Sequence, residues 1–574
     1  MERKDFLTSF LKPSSLNKQG APAITYADGG ADATEDIPPF TGGISPYSGA
    51  WTEYEAAHLL KRTMFGAPVE TVNYFKTLPY SQAVDMLVNT AASPAAVGLP
   101  LKVYETDPAT VATDPDWSVA AGRTWIDAIT TSRDVNKERR DSLKSWWMNN
   151  MMNQPTSVEE KMILFWSNHV TIEFQMVNNG IICYRYLQLL RQHGMGNFKT
   201  LIKEITINAG MLIYLNGYVN SKLAPDENYA RELQELFTLG KGPESLYTED
   251  DVKAAARVLT GYQVDLFGGS TYFTLSRHDT EPKQFSSFYN NTVISRSPAE
   301  AALEVDDLMD MIFTKEEVSK NICRRLYRYF VYHDITPDTE ASIITPLAQT
   351  FRNNNYEIKP VLAQLFKSAH FFDILQHGAM IKSPADFMVG LFRECAVKLP
   401  PISNPQLLYR HLTYFTVLFL ASLEENIGDP NNVSGFPANY QTPFFDKLWI
   451  NTDTFIKRQG FIDTLINTGY TSGGVRTGID MVSVAKKMGN PANPNTLVLD
   501  INKCFLRRVL SQELRDTIKT DILLTGQAND NYWTSAWNDY INSPADLNNY
   551  SVVNSRLKSL ALYFLNKLEE YQLM

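Results

Sequence analysis

Sixteen residues, Pro225 to Gly240 (PDENYARELQELFTLG), constrain this chain more than any others, because they spell a helix with both ends marked and an unusual polar flank. Pro225 and Asp226 are helix-start residues, and Glu227 places negative charge in the first turn. Gly240 falls where a left-handed C-terminal cap requires a residue without a side chain. At about 100° per residue, Tyr229, Leu233, Leu236 and Phe237 share one stripe that must be buried. Glu232 borders the stripe, and Glu235 follows one turn later on the same side. Two half-buried carboxylates repel. Their charge is relieved by Arg231, by a cation from elsewhere, or by one carboxyl that keeps its proton at a raised pKa. The alternative is structural: Glu227, Arg231 and Glu235 form an i, i+4, i+8 ion-pair ladder on a solvated face, with Glu232 an ordinary boundary residue.

Helical spacing also fills most of the remaining chain. It runs over Glu53 to Phe65 with Gly66 as a stop, over 81–89, and over 136–152, where Leu143, Trp146, Trp147 and Met151 form the buried stripe. Ser157-Val-Glu-Glu160 reads as a capping box opening a helix through His169, and Thr248-Glu-Asp-Asp251 opens another that ends at Gly261. The period then changes. Tyr262 to Phe267 and Thr271 to Leu275 are β-rich and flank Gly268-Gly269, which predicts a hairpin whose far strand delivers Arg277, His278 and Asp279 to a loop. Helical spacing resumes after Ser297 and continues to the C-terminus, interrupted by a Gly, Pro and Asn-rich loop at 427–440 and a similar link at 471–497. The pattern predicts a mainly α, large multi-helical, two-lobed fold with one small β-hairpin near 262–276. An extended or disordered N-terminal arm, 1–48, precedes a helical lobe, 49–285, that carries the candidate polar site. A second helical lobe, 286–574, packs on the first.

Composition narrows the function. With 53 Lys plus Arg against 63 Asp plus Glu, the net charge of −10 opposes a nucleic-acid backbone. The longest apolar run, near Thr413 to Leu423, is about half of the ~20 residues that span a bilayer. Cys183, Cys323, Cys395 and Cys504 are far apart with no C-x-x-C pair, so buried free thiols are expected. Arg3-Lys4-Asp5-Phe6-Leu7 looks like a weakened twin-arginine leader, but Lys12, Pro13, two serines and an asparagine occupy the place of its apolar core. A cytoplasmic location is therefore expected, or a periplasmic or extracellular one if the degraded leader still acts.

Several stretches carry a family resemblance: HLLKRTMFG at 58–66, EEKMILFWSNHV at 159–170, DENYARELQELFTLG at 226–240, TEDDVKAAARVLTGY at 248–262, RHDTEPK at 277–283, and GDPNNVSGFP with LWINTDTFIKR between 428 and 458. In wording and order they resemble the bacterial domain-of-unknown-function family 1800, from about residue 51 to the C-terminus. The resemblance implies a mostly helical protein, often made with a twin-arginine leader and often encoded beside a sulfatase- or phosphatase-like protein. It brings no established activity. The chain departs from the family's usual Asn-Glu-Asn and Gly-Trp-Pro with Asp226-Glu227-Asn228 and Gly435-Phe436-Pro437.

The resemblance places His169, Arg231, Glu232, Glu235, His278, Asp279 and Lys283 in its most recognisable motifs. If these side chains converge, the pocket is that of a hydrolase-like enzyme. Glu232 or Glu235 would act as base or ligand, His169 and His278 as ligands or proton carriers, and Arg231 or Lys283 as anion stabiliser. His169, His278 and Glu232 could hold Zn²⁺, Mn²⁺ or Fe²⁺. Arg231 argues against a metal, and a hydrogen-bonded Glu and His network is the competing arrangement. There is no H-E-x-x-H, P-loop or G-x-G-x-x-G in a β-α-β unit. The alternative function is a non-catalytic scaffold or adaptor, in which the same residues form a satisfied buried network. The loop at 428–437, with Trp449 and Arg458, could line a groove for a sugar or peptide, although its Gly and Pro content suits a purely structural loop.

Overall fold

Capping side chains set many of the element boundaries in the computed structural model, which describes residues 43–104, 116 and 118–574. The Glu53–Thr63 helix opens with a capping box in which Thr52 takes the Tyr54 N–H and Glu55 takes the Thr52 N–H at 2.8 Å. Thr248 and Asp251 open Glu249–Val258 in the same way, and Asn451 with Thr454 opens Thr452–Asn467. The capping box expected at 157–160 does not form. Ser157 donates to the Thr90 carbonyl and takes the Glu159 N–H, while Arg191 engages Glu160 at 2.7 Å, so the Glu159–His169 helix starts without a side-chain cap.

The chain is predominantly helical. The expected hairpin pairs Tyr262–Val264 with Thr271–Phe273, Tyr262 opposite Phe273. Two further two-stranded antiparallel sheets lie at Lys283–Gln284 with Val293–Ile294 and at Tyr470–Ser472 with Val475–Thr477. Both are too short to show a period of two in the sequence. Buried side chains from both sides of residue 285, from Ala56 to Tyr571, belong to one continuous apolar cluster that contains Trp146 and Trp147. All four cysteines are buried and free. Among the described residues no helix is long and apolar enough to cross a membrane.

Most of the expected arm, residues 1–42 including the leader-like Arg3 to Leu7, lies outside the described residues. Its last residues run along the segment after Phe366. The Tyr47 N–H donates to the Lys367 carbonyl at 2.8 Å, and the Tyr47 ring lies 4.7 Å from that of Phe372.

The 226–240 segment is helical, but only its first half is regular. Asp226 caps it by accepting the Asn228 N–H at 2.8 Å, an α-helix runs over Glu227–Glu232, and a π-helix follows over Leu233–Thr238. Gly240 then takes φ of +86°, as a left-handed cap demands. The extra residue per turn alters the relation between Glu232 and Glu235 that an ideal helix implies.

Gly66 ends the Glu53 helix at φ +71°, and a Cβ there would sit 2.7 Å from the Gly390 Cα. Gly66→Ala is therefore expected to destabilise by about 2–4 kcal/mol, from the left-handed backbone and the clash together. Gly460, exposed within the Thr452–Asn467 helix with nothing near its missing Cβ, gives the opposite expectation. Gly460→Ala should stabilise by roughly 0.4–1 kcal/mol. Urea midpoints of the two variants against the parent check both signs.

Candidate functional site

The residues singled out from sequence fall into three groups. On the 226–240 segment, Arg231 clamps Glu249 through two hydrogen bonds of 2.7 Å and reaches Glu227 at 3.2 Å, while Glu235 pairs with Lys241. Arg231 thus satisfies one rung of the expected ladder and turns away from the other. Glu232 is left with its Oε2 buried and, among the described residues, without a hydrogen-bond partner. Burial, reinforced by the charge of Glu235, raises its pKa above the ordinary carboxylate value against the opposing pull of Lys241 and Arg231.

The second group gathers His278, Asp279 and Lys283 after the hairpin. The expected loop turns inward, with His278 and Lys283 fully buried. His278 Nδ1 lies 2.9 Å from the Thr260 carbonyl and its Nε2 3.2 Å from Glu304, whose Oε2 also receives Lys283 at 2.5 Å. Asp279 is held by Arg257 at 2.6 Å. Burial pushes the Glu304 carboxyl up, and hydrogen bonds from His278 and Lys283 more than offset this, leaving its pKa below the ordinary value. Glu304 was not foreseen, because nothing in a helix-opening glutamate marks a partner more than twenty residues away.

His169 stands alone in the third place. It is buried, its Nε2 lies 3.0 Å from the Phe237 carbonyl, and its ring stacks on Phe165. A carbonyl only accepts, so the proton is on Nε2 and Nδ1, which has no partner, carries the lone pair. Burial and then the nearby Arg325 charge hold its pKa well below the usual histidine range. No hydrogen bond joins His169, His278 and Glu232. Among the described residues no three His, Cys, Asp or Glu side chains gather as a metal would require, so these three are not brought together as a ligand set.

His169 does belong to a pocket, built with residues that sequence reasoning passed over. A small cavity of about 40 Å³, room for a few water molecules, is lined by Asn168, His169, Arg325, Arg328, His333, Asp386 and Asp446 among others. The Gly-Pro-Asn loop forms part of its frame: Gly435 has no side chain where one would strike Asn168, whose Oδ1 accepts the Phe436 N–H at 2.7 Å. Phe436 packs 5.9 Å from Trp449, so the Trp-to-Phe departure keeps an aromatic contact. Arg458 is wholly buried and holds the Lys382 and Trp449 carbonyls rather than opening a groove.

On the facing wall, His333 Nδ1 lies 2.9 Å from Asp446 Oδ1, close enough for an ion pair although the N–H is not aligned for a hydrogen bond. The other oxygen of Asp446 accepts the Ile381 N–H at 2.8 Å, which fixes the carboxylate. Arg328 donates to the His333 carbonyl at 3.3 Å and lies over the Phe445 ring. Half-buried Arg325 has neither a hydrogen bond nor a carboxylate within ion-pair distance among the described residues. Burial, followed by repulsion from Arg328, pushes its pKa down to about 10, so it remains charged at neutral pH. The arrangement offers a neutral imidazole, an imidazole beside a fixed carboxylate, and a cation without a counter-charge among the described residues, in one space. The sequence signals at this pocket are His169 in the 159–170 stretch and Trp449, three residues beyond Asp446.

The His278 group generates a separate expectation. Glu304→Gln leaves the buried Lys283 ammonium without its counter-charge and should destabilise by about 3 kcal/mol or more at neutral pH. Because the native pKa of Glu304 is depressed, its contribution is present above the ordinary carboxylate pKa of about 4.3 and is lost as pH falls through the native value. Parent and variant stabilities should therefore converge on acidification, which urea titrations at a series of pH values will check.

No curated protein and no solved structure matches the chain. A family profile described as "Protein of unknown function (DUF1800)" matches residues 58–573, which include all three groups and every pocket residue but Met574. By that match over nearly its whole length, the chain belongs to the DUF1800 family.

Proposed function

We propose that this protein is a hydrolase-like enzyme acting on a substrate with an anionic group, and that its chemistry takes place in the pocket between Asn168-His169, Arg325-Arg328-His333 and Phe445 to Trp449. The observation that carries the reading is Arg325, a charged side chain left without a partner beside two histidines and a fixed carboxylate. A substrate anion supplies the missing counter-charge and brings the scissile bond to His333. In its neutral form His333, oriented by Asp446, takes a proton from water as the oxygen attacks. The same proton then passes to the leaving group, and Arg325 stabilises the negative charge that develops. His169 presents its Nδ1 lone pair to the substrate and stays neutral, since its pKa is held low. No metal is required by this scheme.

A second reading is a scaffold that works beside a sulfatase- or phosphatase-like protein encoded nearby. It is favoured by the His278, Lys283 and Glu304 group, where the polar atoms are spent on one another, and by the small size of the pocket. The two readings separate in one experiment. Purified protein is assayed against chromogenic phosphate, sulfate and carboxylate esters that carry a second anionic group, alongside Arg325→Met and His333→Gln. The enzyme reading expects turnover that falls by roughly 10²-fold or more in each variant, with melting temperatures within a few degrees of the parent. Absence of turnover across the panel supports the scaffold instead, and turnover that the variants leave unchanged overturns this pocket as its site.

A further inference from the structure

A second cavity, sharing no lining residue with the pocket above, lies between the Glu53–Thr63 helix, the Val69–Phe75 helix and residues 487–507. Its volume is about 230 Å³. Five cationic side chains line it, Lys61, Lys76, Lys487, Lys503 and Arg507, against the carboxylates of Glu53 and Asp500. Four of the five are already engaged. Lys61 pairs with Glu394 at 2.6 Å and donates to the Cys504 carbonyl, Lys487 pairs with Glu70 at 2.8 Å, and Lys76 and Lys503 share Glu53. Asp500 accepts the Gly489 N–H at 2.9 Å.

Arg507 is the exception. It is more than nine-tenths buried, donates no hydrogen bond among the described residues, and has no carboxylate within ion-pair distance. A buried guanidinium in that state is strongly unfavourable unless something absent from the protein chain completes it. Its planar fork matches carboxylate and phosphate oxygens two at a time. The remaining wall includes apolar surface from Ala57, Val69, Val72, Met488 and Leu506, which gives a ligand body somewhere to rest. The volume falls below the ~300 Å³ at which pockets for drug-sized ligands begin.

From these observations we infer that this cavity is a binding site for a small organic anion, a phosphate ester or a carboxylate, whose charged group sits on Arg507. Lys503, at the partly exposed edge, assists entry. The site is independent of the proposed hydrolytic pocket, so binding here and turnover there stand or fall separately.

Isothermal titration of the full chain at constant ionic strength tests the inference with three probes: inorganic phosphate, glycerol phosphate and succinate. The expected result is saturable binding of at least one probe at one site per chain, with Kd raised by about tenfold or more in Arg507→Met. Which probe binds tells phosphate from carboxylate. The ligand-free variant should melt within a few degrees of the parent, because the charge removed has no hydrogen bond or ion pair to lose among the described residues and only the longer-range attraction of Glu394. Absence of saturable binding for all three probes, or an unchanged Kd in Arg507→Met, overturns the site. Should Arg507→Met fail to fold, Lys503→Met decides: a Kd several-fold weaker supports the site and an unchanged one overturns it.

Discussion

The buried ion pair between Lys161 and Asp386 ties the Glu159–His169 helix to the Pro384–Glu394 helix, and much of the functional architecture hangs from it. Lys161 also lies over the rings of Phe65 and Tyr329, and its backbone carbonyl accepts the Tyr329 hydroxyl. Three helices and the bend after a fourth therefore meet at one ammonium group. Removing either charge would strand the other in the core, which costs far more than the pair contributes when intact. Asp386 and Tyr329 both line the small pocket, so the contact that fixes the helices also fixes the pocket floor. Glu425 stands next to the pair, taking the Ala385 N–H at 2.7 Å, and burial raises its pKa to about 7. A second full negative charge there would repel Asp386, against the attraction of Lys161 and Arg458.

Local signals were readable in the sequence because they have local causes. The helices at 53–63 and 249–258 declare their starts through side chains two or three residues from the backbone groups they satisfy. The hairpin at 262–273 declares itself through a change of period around two glycines. The exceptions are equally physical. Ser157 fits a capping box by spacing, yet its hydroxyl is taken by Thr90, more than sixty residues away. The π-turn at Leu233–Thr238 leaves no mark in a hydrophobic pattern that suits an α-helix just as well.

The candidate site was less legible, and the reason is the range of electrostatic pairing. Arg231, Glu232 and Glu235 were placed correctly on one helix, but Glu249 and Lys241 decide what they do. His278 and Lys283 were placed correctly after the hairpin, but Glu304 turns them from a displayed pair into a buried network. His169 is buried on its helix, yet its neighbours Arg325, His333 and Asp446 come from elements up to 277 positions later. Motif residues mark where the chain is particular. They do not mark which of them share a space.

One further regularity links the two cavities. Several buried guanidinium groups hold backbone carbonyls instead of carboxylates: Arg62 donates to Gln376, and Arg458 to Lys382 and Trp449. Such segments lack regular ladders, so their carbonyl groups need donors from elsewhere, and a planar five-donor fork supplies them in the fewest side chains. The consequence is electrostatic. A carbonyl satisfies a guanidinium geometrically but cancels only part of its charge, so using arginine as a backbone staple leaves positive potential in the interior. At Arg458, which holds two carbonyls, that potential is a cost of holding the loop. Where a buried or half-buried arginine holds no carbonyl among the described residues and a cavity adjoins it, as at Arg325 and Arg507, the potential selects for anions. The two candidate sites thus share one feature of this fold, which places arginine in its interior without a carboxylate partner and leaves some of that charge facing open space.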